Sequence, residues 1–291
     1  MSLALGIFLA QLAIASLYAL TGVGFVIIYR GTKVLNFAQG ILALLGGYFF
    51  FSLSESLGWS FWISLPLAVV ASGIFSALLY LLFLRSLLGV EPLRLVMVTI
   101  ALSIVLTGGA QIVYGTATKY INVPFNGEFH LPFQVVLPTL DVAIMVTGVV
   151  LLGAFALFLT RSRLGLSMRA AAADARLATY RRVSVNSVSA FTWAVAGAGA
   201  ALAGIAYGAQ AGLSSSAGDV LGFAAFPAII LGGIDSVPGA LVGAFVLAEV
   251  QGFTSAYWGG QYSSVVGYIL LLLILVIRPS GLFGSREVVR L

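Results

Sequence analysis

The chain is built from almost uncharged apolar runs of about twenty residues, the length that crosses a bilayer's hydrocarbon core. Short loops between them hold nearly all the charge. The runs fall at residues 2–29, 34–53, 61–84, 95–114, 140–160, 189–212 and 263–277, with two shorter ones at 221–233 and 239–252. Charged residues make up only 8% of the chain and apolar ones 61%, against roughly 25% charged in a soluble domain. A soluble fold is thereby excluded. The 291 residues are spent on the membrane and leave no room for a soluble catalytic domain. The expectation is a single all-α polytopic membrane domain over residues 1–291, with about eight or nine transmembrane helices, some short or broken. The first run lacks a basic leader and reads as a retained span rather than a cleaved signal.

The basic residues fix an orientation. Alternating the spans puts thirteen of the fourteen Lys and Arg residues on one side and leaves Lys119 alone on the other. The positive-inside rule makes the majority side cytoplasmic. The N-terminus is then expected outside, the C-terminus cytoplasmic, and residues 115–139 form an external loop. The net charge of +5 is accounted for by these loops and points to no nucleic-acid partner. The lipid bilayer is the partner that composition implies.

Residues 161–187 form the longest cytoplasmic segment and carry six of the arginines. Its centre is rich in Ala, Arg and Leu, all strong helix formers. Two readings stand: an anchor that sets topology, or a helix that docks into a cytosolic partner. Other stretches show where the membrane helices depart from regularity. Asn36 and Gln39 open the second apolar run, and buried amides in lipid must find partners. They are either helix-to-helix glue or groups of a solute path, as are Gln111 and Gln210. Glu249 reads as the only acid inside a span, close to the end of its segment, and an intramembrane carboxylate is a site candidate. Gly204, Gly208 and Gly212 share one helix face, a close-packing pattern. The polar break at 213–220, the two short segments and the turn at 234–238 suggest a hairpin or broken helices lining a cavity. A faint likeness between the two halves leaves an inverted repeat open.

Some chemistry is excluded. Cysteine is absent and His130 is the single histidine, so neither disulfides nor a thiolate or histidine-cluster metal site is available. No nucleophile elbow and no phosphate-binding glycine loop occurs. The chain is therefore expected to be no enzyme, with no cofactor and no metal.

Four stretches, in order, carry a resemblance. GTKVLNFAQGILALLGGY (31–48) is similar to the V-L-N-F-A-x-G…L-G-A-Y motif of the permease subunits of branched-chain amino-acid ABC transporters, the LivH type. Residues 169–178 with 183–188 resemble that family's cytoplasmic coupling segment. FPAIILGGIDSVPGALVG (226–243) resembles its L-G-G-x-G-S-x-P-G-A-x-x-G turn, and RPSGLFG (278–284) its R-P-x-G-L-F-G ending.

The resemblance implies a permease subunit of an ATP-driven importer of branched-chain or other amino acids, in a prokaryotic inner membrane. It implies a second permease subunit (a homo- or heterodimer), two cytosolic ABC ATPases, an extracytoplasmic solute-binding protein and an amino-acid substrate. It carries ATPase coupling onto Arg169, Asp174, Ala178 and Val183, with Arg181 and Arg182 adjoining. Arg182 stands where the family usually has Gly, and Asp235 likewise. The competing reading is an ion-coupled transporter or channel acting without an ATPase. It needs intramembrane charge, which Glu249 supplies thinly. An intramembrane enzyme is a further alternative, weakened by the position of His130 in the external loop.

Overall fold

The computed structural model describes residues 2–87, 91–132, 135–162, 164–168 and 184–284. The described residues form α1 (Ser2–Thr32), α2 (Gln39–Phe51), α3 (Phe61–Leu79), α4 (Pro92–Tyr114), β1 (Glu128–Leu131), β2 (Val135–Pro138), α5 (Thr139–Arg161), α6 (Val185–Gln210), α7 (Ala217–Gly232), α8 (Val237–Trp258) and α9 (Gly260–Ile277). Seven of the nine α-helices are long and apolar enough to cross a membrane. The other two are α2, 13 residues that run on into a π-helical turn at Ser52–Ser56, and α7, with 16 residues. At about 1.5 Å per residue α7 reaches about 24 Å, short of the roughly 30 Å core. The all-α polytopic architecture and its short segments are as expected.

Details differ. The run at 34–53 is not one span: residues 34–38 are non-helical, and α2 begins only at Gln39. The segment at 239–252 is not short, because α8 continues to Trp258 and absorbs most of the loop expected at 253–262. The chain reverses there at Gly259, whose φ of +107° suits a residue without Cβ. Gly212 does not share the helix face of Gly204 and Gly208, since α6 ends at Gln210. The loop at 115–139 is partly β: β1 and β2 pair antiparallel, with His130 opposite Val136. His130 lies on an exposed strand.

Helix α6 is the central post, packed against α1, α2 and α3. Its sequence is rich in Ala and Gly, and without a hydrophobic drive between helices in lipid, small residues let backbones approach. A Cβ on Gly204 would fall on the carbonyl of Ala43 in α2, and one on Gly46 would fall on Ala201. Helix α1 is long enough to brace both halves, touching α8, α6, α5, α7 and α2. By contrast α4, α5 and α9 leave most of their apolar side chains exposed, as helices with a lipid-facing side do.

Two faces of the bundle are recognisable. On one, the loop at 115–139 meets the ends of α2 and α6. Asn122 donates to both carboxylate oxygens of Glu55, each at 3.2 Å, and Lys119 pairs through its backbone with Leu213. On the other, Tyr29 and Lys33 share a cavity with Asp235 and Pro279. The ends of α1, α7 and α9 thus lie together, as the alternation of spans requires.

Gly204→Val is expected to lower thermal stability of the detergent-purified protein by about 1–3 kcal/mol, the usual cost of overpacking. Gly153→Val, where a Cβ meets nothing within 4 Å, is expected to leave it unchanged. A thermal aggregation assay on the two variants checks both.

Candidate functional site

The unwound entry to α2 is held by side chains. Asn36 Oδ1 accepts from the Ala38 N–H at 3.1 Å, and Asn36 Nδ2 donates to Gln39 Oε1 at 3.2 Å. Gln39 Nε2 in turn donates to the Ala196 carbonyl of α6 at 3.2 Å. From α4, the Thr99 hydroxyl accepts from the Phe37 N–H and sits 3.2 Å from the Leu35 carbonyl. Asn36 and Gln39 are fully buried. Their amides are consumed within the bundle, which is the glue reading of these residues.

The remaining candidates scatter. Gln111 is exposed on α4, whose outer side carries the exposed Ile104, Ile112 and Val113. Gln210 donates from Nε2 to Asp141 Oδ1 at 2.9 Å. Asp141 is a buried acid in the first turn of α5, so Glu249 is not alone among acids within the helices. Nor is Glu249 near the end of its segment, since α8 runs on for two more turns. Both its carboxylate oxygens are buried and unpaired. It faces no cavity described below. These residues do not converge on one site. Arg169, Asp174, Ala178, Arg181, Arg182 and Val183 lie outside the described residues.

Convergence occurs instead around the first half of α7, which the sequence reading had placed in a polar break. Residues 213–216 lead into the bundle, and α7 starts at Ala217 within it. A Cβ on Gly40, in the first turn of α2, would fall on the Gly218 carbonyl, so the N-terminal turns of the two short helices cross in backbone contact. Asp219 is exposed on the first turn of α7. It lies thirteen residues from the helix end at Gly232, about 20 Å along the axis, and shares a cavity with Ser263 and Ser264 in the first turns of α9. No described residue pairs with it. A carboxylate facing hydrocarbon costs at least about 2.5–3.5 kcal/mol, so this face of α7 is wet or covered by protein.

Two cavities flank that carboxylate. One, of about 320 Å³, is bounded by α1, α7, α8 and α9 and takes polar groups from Ser216, Ser263, Ser264 and Tyr268. At its wall Tyr18 Oη donates to Gln251 Oε1 at 3.0 Å. The other, of about 380 Å³, is bounded by α1, α2, α4 and α7 and is largely apolar, with Phe25, Phe37, Ile41, Ile100 and Phe226. Asp219 and Phe223 line both. In the sequence Asp219 stands in a polar break beside a Pro-containing run; its place on α7 follows only from the helix start at Ala217.

The far end of α7 is latched. The N–H groups of Leu282 and Phe283 donate to the carbonyls of Leu231 and Gly232 at 2.9 and 2.8 Å. These bonds satisfy carbonyls that a helix end leaves open. Gly233 (φ +112°) and Gly281 (φ +76°) make the two turns that let the strands of backbone meet. Gly232 and Gly239 touch backbone to backbone, and Ser236 caps α8 by accepting from the Gly239 N–H at 3.0 Å. The motifs at 226–243 and 278–284 are therefore one structural unit. Asp235 has a negative φ, so the residue at this position needs no glycine conformation.

The sequence model of the family described as branched-chain amino acid transport system, permease component, matches residues 7–275. The chain is 31% identical to the high-affinity branched-chain amino acid transport system permease protein BraD of Pseudomonas aeruginosa, over 95% of this chain and 94% of that protein. It is 28% identical to the corresponding LivH protein of Escherichia coli K12, over 94% of each. It is also 28% identical to a probable LivH of Methanocaldococcus jannaschii, over 93% of this chain and 89% of that one. Among solved structures, PsaBC from Streptococcus pneumoniae in complex with a Fab shares the fold at a TM-score of 0.50 and 18% identity, covering 94% of this chain and 92% of that one.

The accounting of polar groups separates glue from function. Asn36→Leu is expected to destabilise the protein by about 1–3 kcal/mol, because it strands the buried Ala38 N–H and Gln39. Glu249→Met is expected to be neutral or stabilising, since it removes an unpaired buried carboxylate. Thermal midpoints of the two purified variants measure this; a stable Asn36→Leu protein would contradict the role assigned to that network.

Proposed function

The chain belongs to the family of permease components of branched-chain amino acid transport systems, and from that premise we propose that it is the membrane-spanning subunit of an ATP-driven importer of branched-chain or related amino acids. The observation that carries the reading is the family match across residues 7–275, nearly the whole helical bundle. Its work is alternating access in the inner membrane of a prokaryotic cell. It does no covalent chemistry and has no resident cofactor or metal.

Partners follow from the same reading. The chain pairs with a second permease subunit, identical or related, over two cytosolic ATPases, and receives its substrate from an extracytoplasmic binding protein. The arginine-rich segment at 161–187 is the handle. Arg169, Asp174, Ala178, Arg181, Arg182 and Val183 meet the ATPase, and Arg181 and Arg182 supply cations for acids on that partner. Nucleotide shifts the conformational equilibrium only through contacts that differ between states. Those contacts are assigned to this segment. The latch at Gly232 and Phe283 supports the reading. It makes the ends of α7, α8 and α9 one rigid piece, so a push on the cytoplasmic face reaches the helix that carries Asp219. The exposed face of α7 supports a solute path, since a free carboxylate there needs water or a polar ligand.

Charge reversal at Arg181 and Arg182, or Asp174→Lys, is expected to cut co-purification of the cytosolic ATPase severalfold while membrane insertion is kept. Undiminished association would count against the handle. Orientation has its own test, helped by a chain with no native cysteine. Lys119→Cys is expected to react with a membrane-impermeant thiol reagent in intact cells or spheroplasts, and Ser184→Cys only after the membrane is opened.

A further inference from the structure

The two cavities beside α7 are complementary in chemistry, and one ridge separates them. At about 100° per residue, Asp219 and Phe223 project within about 40° of each other, between the residues that face the two cavities. Ser216, Val220 and Ala224 turn to the polar cavity; Gly218, Gly222 and Phe226 turn to the apolar one. The ridge itself is open: Asp219 is exposed, and Phe223 is 58% exposed.

We propose that this ridge and its two cavities are the substrate site of the permease, built for a small zwitterion bearing an apolar side chain. This rests on the permease reading above and adds the residues that select the solute. The Asp219 carboxylate receives the α-ammonium group. The α-carboxylate lies on the far side of the ammonium, toward the Ser263 and Ser264 hydroxyls in the first turns of α9, where the helix N-terminus also favours a negative charge. The aliphatic side chain passes Phe223 into the cavity floored by Phe37, Ile41 and Phe226. Each cavity falls near the lower end of the roughly 300–1,000 Å³ range of small-molecule sites, which suits a single amino acid rather than a peptide. Gly218 and Gly222 bring the α7 backbone against α2 and leave the apolar cavity unobstructed from that side.

Charge is the reason the solute must be cationic at one end. The carboxylate of Asp219 has no partner among the described residues, and the net charge of the ridge is negative. An anionic or purely apolar solute would leave that carboxylate unpaired during passage. A zwitterion satisfies it and brings its own counter-charge.

The test uses the full transporter, this chain with its sister permease, ATPases and binding protein, in proteoliposomes with ATP and radiolabelled leucine and alanine. Asp219→Asn is expected to lower uptake of both amino acids at least tenfold, with the complex still assembled. Ser103→Phe, which narrows the apolar cavity from its α4 wall, is expected to lower leucine uptake relative to alanine by about tenfold. Asp219→Glu is expected to restore part of the uptake lost in Asp219→Asn, which a merely structural aspartate at an exposed position would not require. Wild-type uptake in Asp219→Asn together with an unchanged leucine-to-alanine ratio in Ser103→Phe would overturn the site. Those outcomes leave the permease reading standing. A wild-type complex that accumulates neither amino acid with ATP would instead overturn that reading.

Discussion

Backbone amides cannot be left open inside a lipid bilayer, and the structure depends on how that rule is met where two helices break. The entry to α2 is unwound within the bundle, yet its polar groups are matched by Asn36, Gln39 and Thr99. With those partners in place, α2 can be short and wholly surrounded. Its first turn then reaches the first turn of α7, where Gly40 and Gly218 meet at backbone distance. The crossing of two short helices sets the space around Asp219. Without the side-chain partners at Asn36 and Thr99, this packing would carry several unpaired groups in a medium of low dielectric.

The same rule separates the polar residues of the bundle into three kinds. Asn36, Gln39 and the Gln210–Asp141 pair have partners inside the chain and hold helices in register. Asp219 has none, and it is the one drawn to an open face between cavities. Glu249 is a third case: buried, unpaired and away from those cavities. Its position between packed helices gives it no route to a solute in this conformation. Burial of a polar group in a membrane protein is therefore a weak guide to function. A polar group left exposed, with room beside it, is a stronger one.

The ends of three helices are tied together in the fold. The ending at 278–284 bonds to the carbonyls that close α7, and the turn at 233–236 caps α8. Three helices are thus tied at one face of the bundle, next to the end of α1. Under the proposed coupling, a displacement at that face would tilt α7 as a body. The side of α7 that would move is the side that carries Asp219 and Phe223.

The membrane class and most helix positions were legible in the sequence, because the length of an apolar run acts locally and without regard to tertiary neighbours. The family was legible too, in four short stretches that resemble its motifs in order along the chain. Helix ends were less so: α8 runs through Phe253–Trp258 and α7 begins before Asp219, because tertiary packing carries a helix across polar residues that read locally as a break. The partners of Asn36 and Gln39 lie on α4 and α6, far along the chain, so glue and pathway could not be told apart from spacing. The union of the motifs at 226–243 and 278–284, and the pairing of a polar with an apolar cavity around one carboxylate, are products of helix packing alone. They arise from close approach at glycines whose neighbours are distant in sequence, and no local pattern encodes which distant neighbour that is.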